Sequence, residues 1–196
     1  MFKLNTLLLA ICLLGSCDAQ TQHYNQALRQ LQMQNPEQAA TTLSQLAANG
    51  YAPAQFRFGL LLLYGHGVPK DPPQATAWLD KAARQSDVGA QWVLARLYRN
   101  GIGAPRSDTQ ALRWYQRLAE RGFVPAQYQL ALAYEHGQGA PQNSAQALQW
   151  LRQAANNGYP QAVAKLVQAY RQGLLGLPKD TAQADYWQEK AKPKPF

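Results

Sequence analysis

The sequence predicts an all-α fold, a right-handed α-solenoid of stacked antiparallel helix pairs. Three observations carry that expectation: a 36-residue period, apolar stripes at helical spacing, and glycines and helix caps that recur in phase. From Ala54 onward the chain repeats itself, with Ala54, Ala90, Ala126 and Ala162 in register and Gly65, Gly101, Gly137 and Gly173 likewise. Trp78, Trp114 and Trp150 keep the same step. Trp187 falls one residue late because Gly173-Leu174-Leu175-Gly176 carries one extra residue. Repeats of this length are units that bury their apolar faces only against their neighbours. Such an array is first a surface for holding something, so binding is expected ahead of chemistry.

The second repeat illustrates each element. Ala90, Leu94, Leu97 and Tyr98 form the i, i+4, i+7, i+8 stripe of an amphipathic first helix. Gly101-Ile102-Gly103 then stops it, as glycine does where the chain turns left-handed. A second helix follows with Ala111, Trp114, Tyr115, Leu118 and Ala119 on its buried side. Its start is marked by Ser107, in register with Asp71 and Asn143 and matched by Asp180, all preferred N-cap residues that accept bonds from orphan first-turn amides. Pro72 fits the first helical position, where a missing N–H costs nothing. Gly50, Gly122 and Gly158 end the second helices, with Ser86 the exception. Tyr24 to Gly50 reads as a degenerate leading helix pair, its glutamine-rich first helix suited to a solvent-facing end cap.

This phrase resembles the Sel-1-like repeat family, short-loop relatives of tetratricopeptide repeats. The resemblance rests on Ala126-Gln127-Tyr128-Gln129-Leu130-Ala131-Leu132-Ala133-Tyr134, on Gly137-Gln138-Gly139-Ala140-Pro141, on Ala147-Leu148-Gln149-Trp150-Leu151 and on Ala154-Ala155-Asn156-Asn157-Gly158, with counterparts opening at Ala54, Ala90 and, more loosely, Ala162. It implies a helical repeat fold and a protein-binding role. Some secreted members carry a cysteine pair in each repeat and have been linked to β-lactam binding; this chain has no such pairs, so nothing of that activity transfers.

The first residues read as an export signal. Lys3 is a positive n-region, and Leu7 to Gly15 is an apolar stretch too short to cross a bilayer as a helix. It ends in Leu14-Gly15-Ser16-Cys17, which resembles the bacterial lipobox and makes Cys17 the expected lipidation site; an ordinary signal peptide with a chance cysteine is the alternative. Acyl chains there would contribute about 0.8 kcal/mol per buried CH₂. Asp18 resembles the retention signal of the inner membrane in enteric-type lipoproteins. The expected location is the periplasmic side of a bacterial membrane. Cys12 and Cys17 both fall in this segment, which leaves the folded body without a thiol for a disulfide, a metal or catalysis. The expected organisation is a signal peptide over residues 1–16, a lipidated cysteine, tether and capping pair over 17–53, repeats over 54–89, 90–125, 126–161 and 162–191, and a basic tail over 192–196.

The formal net charge is +8, or +7 without Lys3, yet only 15% of residues are charged. With frequent glutamine this reads as a lightly charged, amide-rich surface with a basic bias that favours anionic lipid headgroups. Export and the lack of a recognised motif argue against nucleic acid. His23, His66 and His136 show no metal-ligand spacing. The pair Glu135-His136 reads as a solvated last helical turn. Ser44, Ser86, Ser107 and Ser144 sit in helices or caps, outside any nucleophile elbow, and Gly-x-Gly recurs as a helix connector. Neither a catalytic constellation nor a cofactor is expected. The periodic tryptophans read as core, and Arg113, Arg117 and Arg121 as a solvated convex face.

The binding candidates lie opposite the core stripe of each first helix. They are Phe56, Leu60, Leu63 and Tyr64, then Trp92, Arg96, Arg99 and Asn100, then Tyr128, Leu132, Glu135 and His136, then Ala164, Gln168, Arg171 and Gln172. First helices line the concave face of stacked helix hairpins, and aromatic and Arg anchors are enriched in hot spots. For Phe56, Trp92 and Tyr128, partial burial between adjacent repeats is an equal alternative. The expected role is a non-catalytic, membrane-tethered scaffold, adaptor or inhibitor that binds a protein. The resemblance adds a narrower role, an immunity protein neutralising a secreted phospholipase-type toxin; an envelope assembly factor is the second alternative.

Overall fold

The computed structural model describes residues 19–190, and among them there are ten helices and no strand. Residues 19–32 form α1. The remaining elements are α2 (Pro36–Ala48), α3 (Ala52–Tyr64), α4 (Pro72–Arg84), α5 (Val88–Asn100), α6 (Asp108–Glu120), α7 (Val124–His136), α8 (Ser144–Asn156), α9 (Pro160–Gln172) and α10 (Thr181–Lys190). The expected all-α solenoid of paired helices is therefore the fold. Cys17, Asp18 and the tail over 192–196 lie outside the described residues. No helix among the described residues is long and apolar enough to cross a membrane.

The described chain divides into two compact units. One runs to Leu94 and includes Ile102–Ala104; the other takes Ala95–Gly101 and the chain from Pro105.

In the first unit, Asn35 and Asp71 cap α2 and α4 by accepting from the amides of Gln38 and Gln74. In the second, Ser107, Asn143 and Asp180 do the same for Gln110, Gln146 and Gln183. Three odd-numbered helices start differently: α3, α7 and α9 lack a side-chain cap and carry proline in the first turn, while Asp87 caps α5 by accepting from the Ala90 amide at 2.7 Å. Each of these three then ends on a left-handed glycine, Gly65, Gly137 or Gly173.

The second glycine of each Gly-x-Gly loop has a further reason to be there. A Cβ on Gly103 would stand 2.2 Å from the Pro72 carbonyl oxygen, and one on Gly139 would stand 2.3 Å from that of Asp108. Gly67 meets Pro36 at 2.3 Å in the same way. The loop thus rests its bare backbone on the first residue of the second helix one repeat earlier.

The core is built from small residues and a leucine in each copy. Leu43, Leu79 and Leu151 share one position of the even helices, and Phe58, Leu94, Leu130 and Leu166 share one of the odd helices; all are buried. In α6 the shared even-helix position holds Tyr115, which is 2% exposed.

Two readings are corrected. The glutamines are not all surface: Gln55, Gln91 and Gln127 are buried, and each donates its Nε2 to a carbonyl eight residues back, Ala47 (3.1 Å), Ala83 (2.9 Å) or Ala119 (3.3 Å). A buried amide is tolerated only when so paired. The tryptophans are not uniformly core either: Trp114 and Trp187 are buried, while Trp78 and Trp150 are half-buried. Cations cover three of the rings. Lys81 lies 4.0 Å from the Trp78 centroid, Arg117 4.9 Å from Trp114 and Lys190 4.8 Å from Trp187.

Candidate binding surface

An odd helix must bury its alanine–leucine stripe against two neighbours, which leaves only a narrow outward strip. In the first unit, α3 presents Leu60 half-buried and Tyr64 73% exposed. Leu63, expected on this strip, is 7% exposed and belongs to the core. It shares its repeat position with Arg99 and Glu135, where stacking covers the side chain, and Leu61 and Leu62 beside it are buried too. Phe56 is half-buried because its ring packs where α5 begins; a Cβ on Gly89 would stand 2.8 Å from it. Trp92 is also half-buried.

In the second unit, Arg96, His136, Gln168 and Arg171 are exposed, and Arg99, Tyr128 and Leu132 are half-buried. Tyr128 packs against Tyr159, with ring centroids 5.3 Å apart and ring planes tilted by 47°. Arg171 pairs with Gln188 (2.7 Å) and Asp185 (3.7 Å). The structure thus brings together Arg99, Leu132 and His136 of the expected set, which line one cleft with Tyr115, Gln129 and Asp108. Gln168 and Arg171 stand apart from it.

The cleft is electrostatically uneven. Arg99 donates through Nη1 to the Gln129 Oε1, and its guanidinium lies 5.9 Å from the Tyr115 ring centroid. Asp108 is engaged by Arg106 at 3.0 Å. Burial pushes the Tyr115 hydroxyl above the usual tyrosine range, and the charges of Arg99 and Arg96 act against that rise. Among the described residues no carboxylate lies within ion-pair distance of Arg96 or Arg99.

Glu135 is not the solvated residue expected from the sequence. Its carboxylate lies 2.9 Å from the Lys165 ammonium and 3.9 Å from His136 Nε2, with a side chain 17% exposed. The cause is repeat stacking: position 135 of α7 faces position 165 of α9, as Arg99 of α5 faces Gln129 of α7. Tyr115, Gln129 and Lys165 were absent from the expected site, although a search for polar pairs thirty residues apart would have found the last two. Among the described residues no group of three His, Cys, Asp or Glu is placed to hold a metal ion.

Solved structures similar to this chain include two Sel1-type repeat proteins. A Sel1 repeat protein from Oxalobacter formigenes is 32% identical with a TM-score of 0.74, covering 79% of this chain and 63% of its own. The protein c5321 from uropathogenic Escherichia coli, described as a protective antigen with an SLR fold, is 27% identical with a TM-score of 0.81, covering 90% of this chain and 38% of its own. The chain therefore spans less than two thirds of the length of either. No curated protein matches it significantly. The Sel1 repeat model matches residues 52–87, 88–123, 124–159 and 161–192, and the chain belongs to the Sel1 repeat family.

Proposed function

We propose that this chain is a non-catalytic, membrane-tethered interaction protein that binds a protein partner through the outward strip of the odd-numbered helices in its second unit. Sel1 repeats generally mediate protein–protein interaction. The observation that carries the reading to particular residues is the cleft where Arg99, Leu132 and His136 converge beside the exposed Arg96. Arginine is among the residues enriched in interface hot spots. Export and anchoring are supported by Lys3, the Leu7–Gly15 stretch and Leu14-Gly15-Ser16-Cys17 in the sequence. A tethered trap for an incoming phospholipase-type toxin and an envelope assembly factor are two forms of this role, separated by where the partner comes from.

The test is affinity capture. Residues 20–196 serve as bait against envelope and secreted fractions, beside an Arg96→Glu/Arg99→Glu variant whose folding is checked by circular dichroism. One dominant protein, lost with the folded variant, is expected. Capture that ignores the variant contradicts the proposed surface. A partner from the cell's own envelope identifies an assembly role, and a delivered toxin identifies a trap.

A further inference from the structure

The stacking ladder of the second unit contains one complete charge pair and one incomplete one. Glu135 of α7 meets Lys165 of α9 at 2.9 Å, carboxylate on ammonium. At the same two repeat positions Arg99 of α5 meets Gln129 of α7, a neutral amide. Arg99 is also half-buried, so water compensates its charge less than at a free surface. The α6 residue beneath it is Tyr115, where Leu43, Leu79 and Leu151 stand in the other copies. The change places an aromatic ring, its centroid 5.9 Å from the guanidinium, where the other copies carry a leucine side chain. His136, Leu132 and Asp108 stand on the walls, the Asp108 carboxylate already paired with Arg106, and Arg96 stands exposed one helical turn before Arg99. A planar fork with an open side, an apolar wall and a second cation nearby is suited to a carboxylate on a short aliphatic stem.

We infer that the α5–α6–α7 cleft binds an acidic segment of the protein partner, with an Asp or Glu carboxylate completing the charge of Arg99. This deepens the proposed function and rests on it. Arg99 anchors the carboxylate, Gln129 holds the guanidinium in place, and Arg96 draws the flanking acidic residues. Three other arginines answer other needs: Arg117 covers Trp114, Arg106 pairs with Asp108, and Arg171 pairs with Asp185.

The discriminating variant is Gln129→Glu, which supplies the missing carboxylate from within and copies the Glu135–Lys165 pair. A random twelve-residue peptide library is selected on residues 20–196, and the recovered peptides are measured against variants. Expected are peptides enriched in Asp and Glu. Their affinity should fall at least tenfold with Gln129→Glu and with Arg96→Gln/Arg99→Gln, be partly kept by Arg99→Lys, and be unchanged by Arg113→Gln on α6. Acidic peptides lost equally with Arg113→Gln would show attraction to net charge alone and overturn the site. Peptides without acidic enrichment, or no peptides, would overturn the acidic chemistry. If such peptides still lose affinity when Leu132 or Tyr128 is replaced by Ala, the proposed surface stands without this inference; if they do not, both fall. Binding of phosphatidylglycerol vesicles that needs Arg99, without acidic peptides, would assign the cleft to lipid instead and overturn the inference.

Discussion

The Glu135 carboxylate and the Lys165 ammonium stand 2.9 Å apart at side-chain exposures of 17% and 24%, joining neighbouring odd helices at one repeat position. Leu63 and Val93 occupy the same two repeat positions in the first unit, so the ladder accepts either chemistry. A part-buried pair recovers its desolvation cost only while both members are present. Lys165→Val alone is therefore expected to destabilise the protein by about 1–3 kcal/mol. The double change Glu135→Leu/Lys165→Val, which installs the Leu63 and Val93 residue types, should leave stability at or above the starting level. Urea unfolding of the single and double variants measures both.

Gly139→Ala should be among the most damaging single substitutions. Its φ is +81°, and the new Cβ would stand 2.3 Å from the Asp108 carbonyl oxygen, backbone that cannot rotate away. A loss of about 3 kcal/mol or more is expected. Gly176 has a similar φ of +76° but nothing within 4 Å, so Gly176→Ala should cost only the left-handed strain of about 1–2 kcal/mol. Thermal melting of the two variants separates close approach from conformational strain.

A cation covers the second-helix tryptophan three residues before it in every full copy but one. Gln153 stands where Lys81 and Arg117 stand, and Trp150 is half-buried. Gln153→Lys is expected to stabilise the protein by about 0.5–1 kcal/mol. Gln149→Lys adds the same charge to the same helix without reaching the equivalent position and should give less. Equal melting temperatures for the two would remove cation–π contact as the explanation.

Alkali should expose the buried phenol of Tyr115. Its pKa in the folded protein is raised above the usual 10.0, first by desolvation. The neutral phenol therefore contributes its stability fully below about pH 10, and that contribution is lost as pH climbs through the higher folded value. Melting temperatures across about pH 9–12 should fall less steeply for Tyr115→Phe than for the unmodified protein. Parallel curves would contradict the burial argument.

The fold was legible because its signals are periodic. Asp71, Ser107, Asn143 and Asp180 cap where the sequence places caps, and the odd helices end on Gly65, Gly137 and Gly173. What stayed hidden depends on neighbours that pattern alone does not supply. Gln55, Gln91 and Gln127 recur in phase like core residues, but amide composition reads as surface until the carbonyls of Ala47, Ala83 and Ala119 are in place. Leu63, Arg99 and Glu135 share one position, and a helical wheel puts all three outward; stacking buries Leu63 and half-buries the other two. Tyr115 reads as core from its spacing and is core, and only the fold places its ring beside Arg99.

The binding face is tested most directly inside the cells that produce the protein, by photo-crosslinking. Benzoylphenylalanine replaces either His136, exposed at the cleft on α7, or Gln149, exposed on α8. One dominant protein adduct from position 136, absent from position 149, is the expected result. The same adduct from both positions, or one from position 149 alone, would contradict binding through the odd-helix strip.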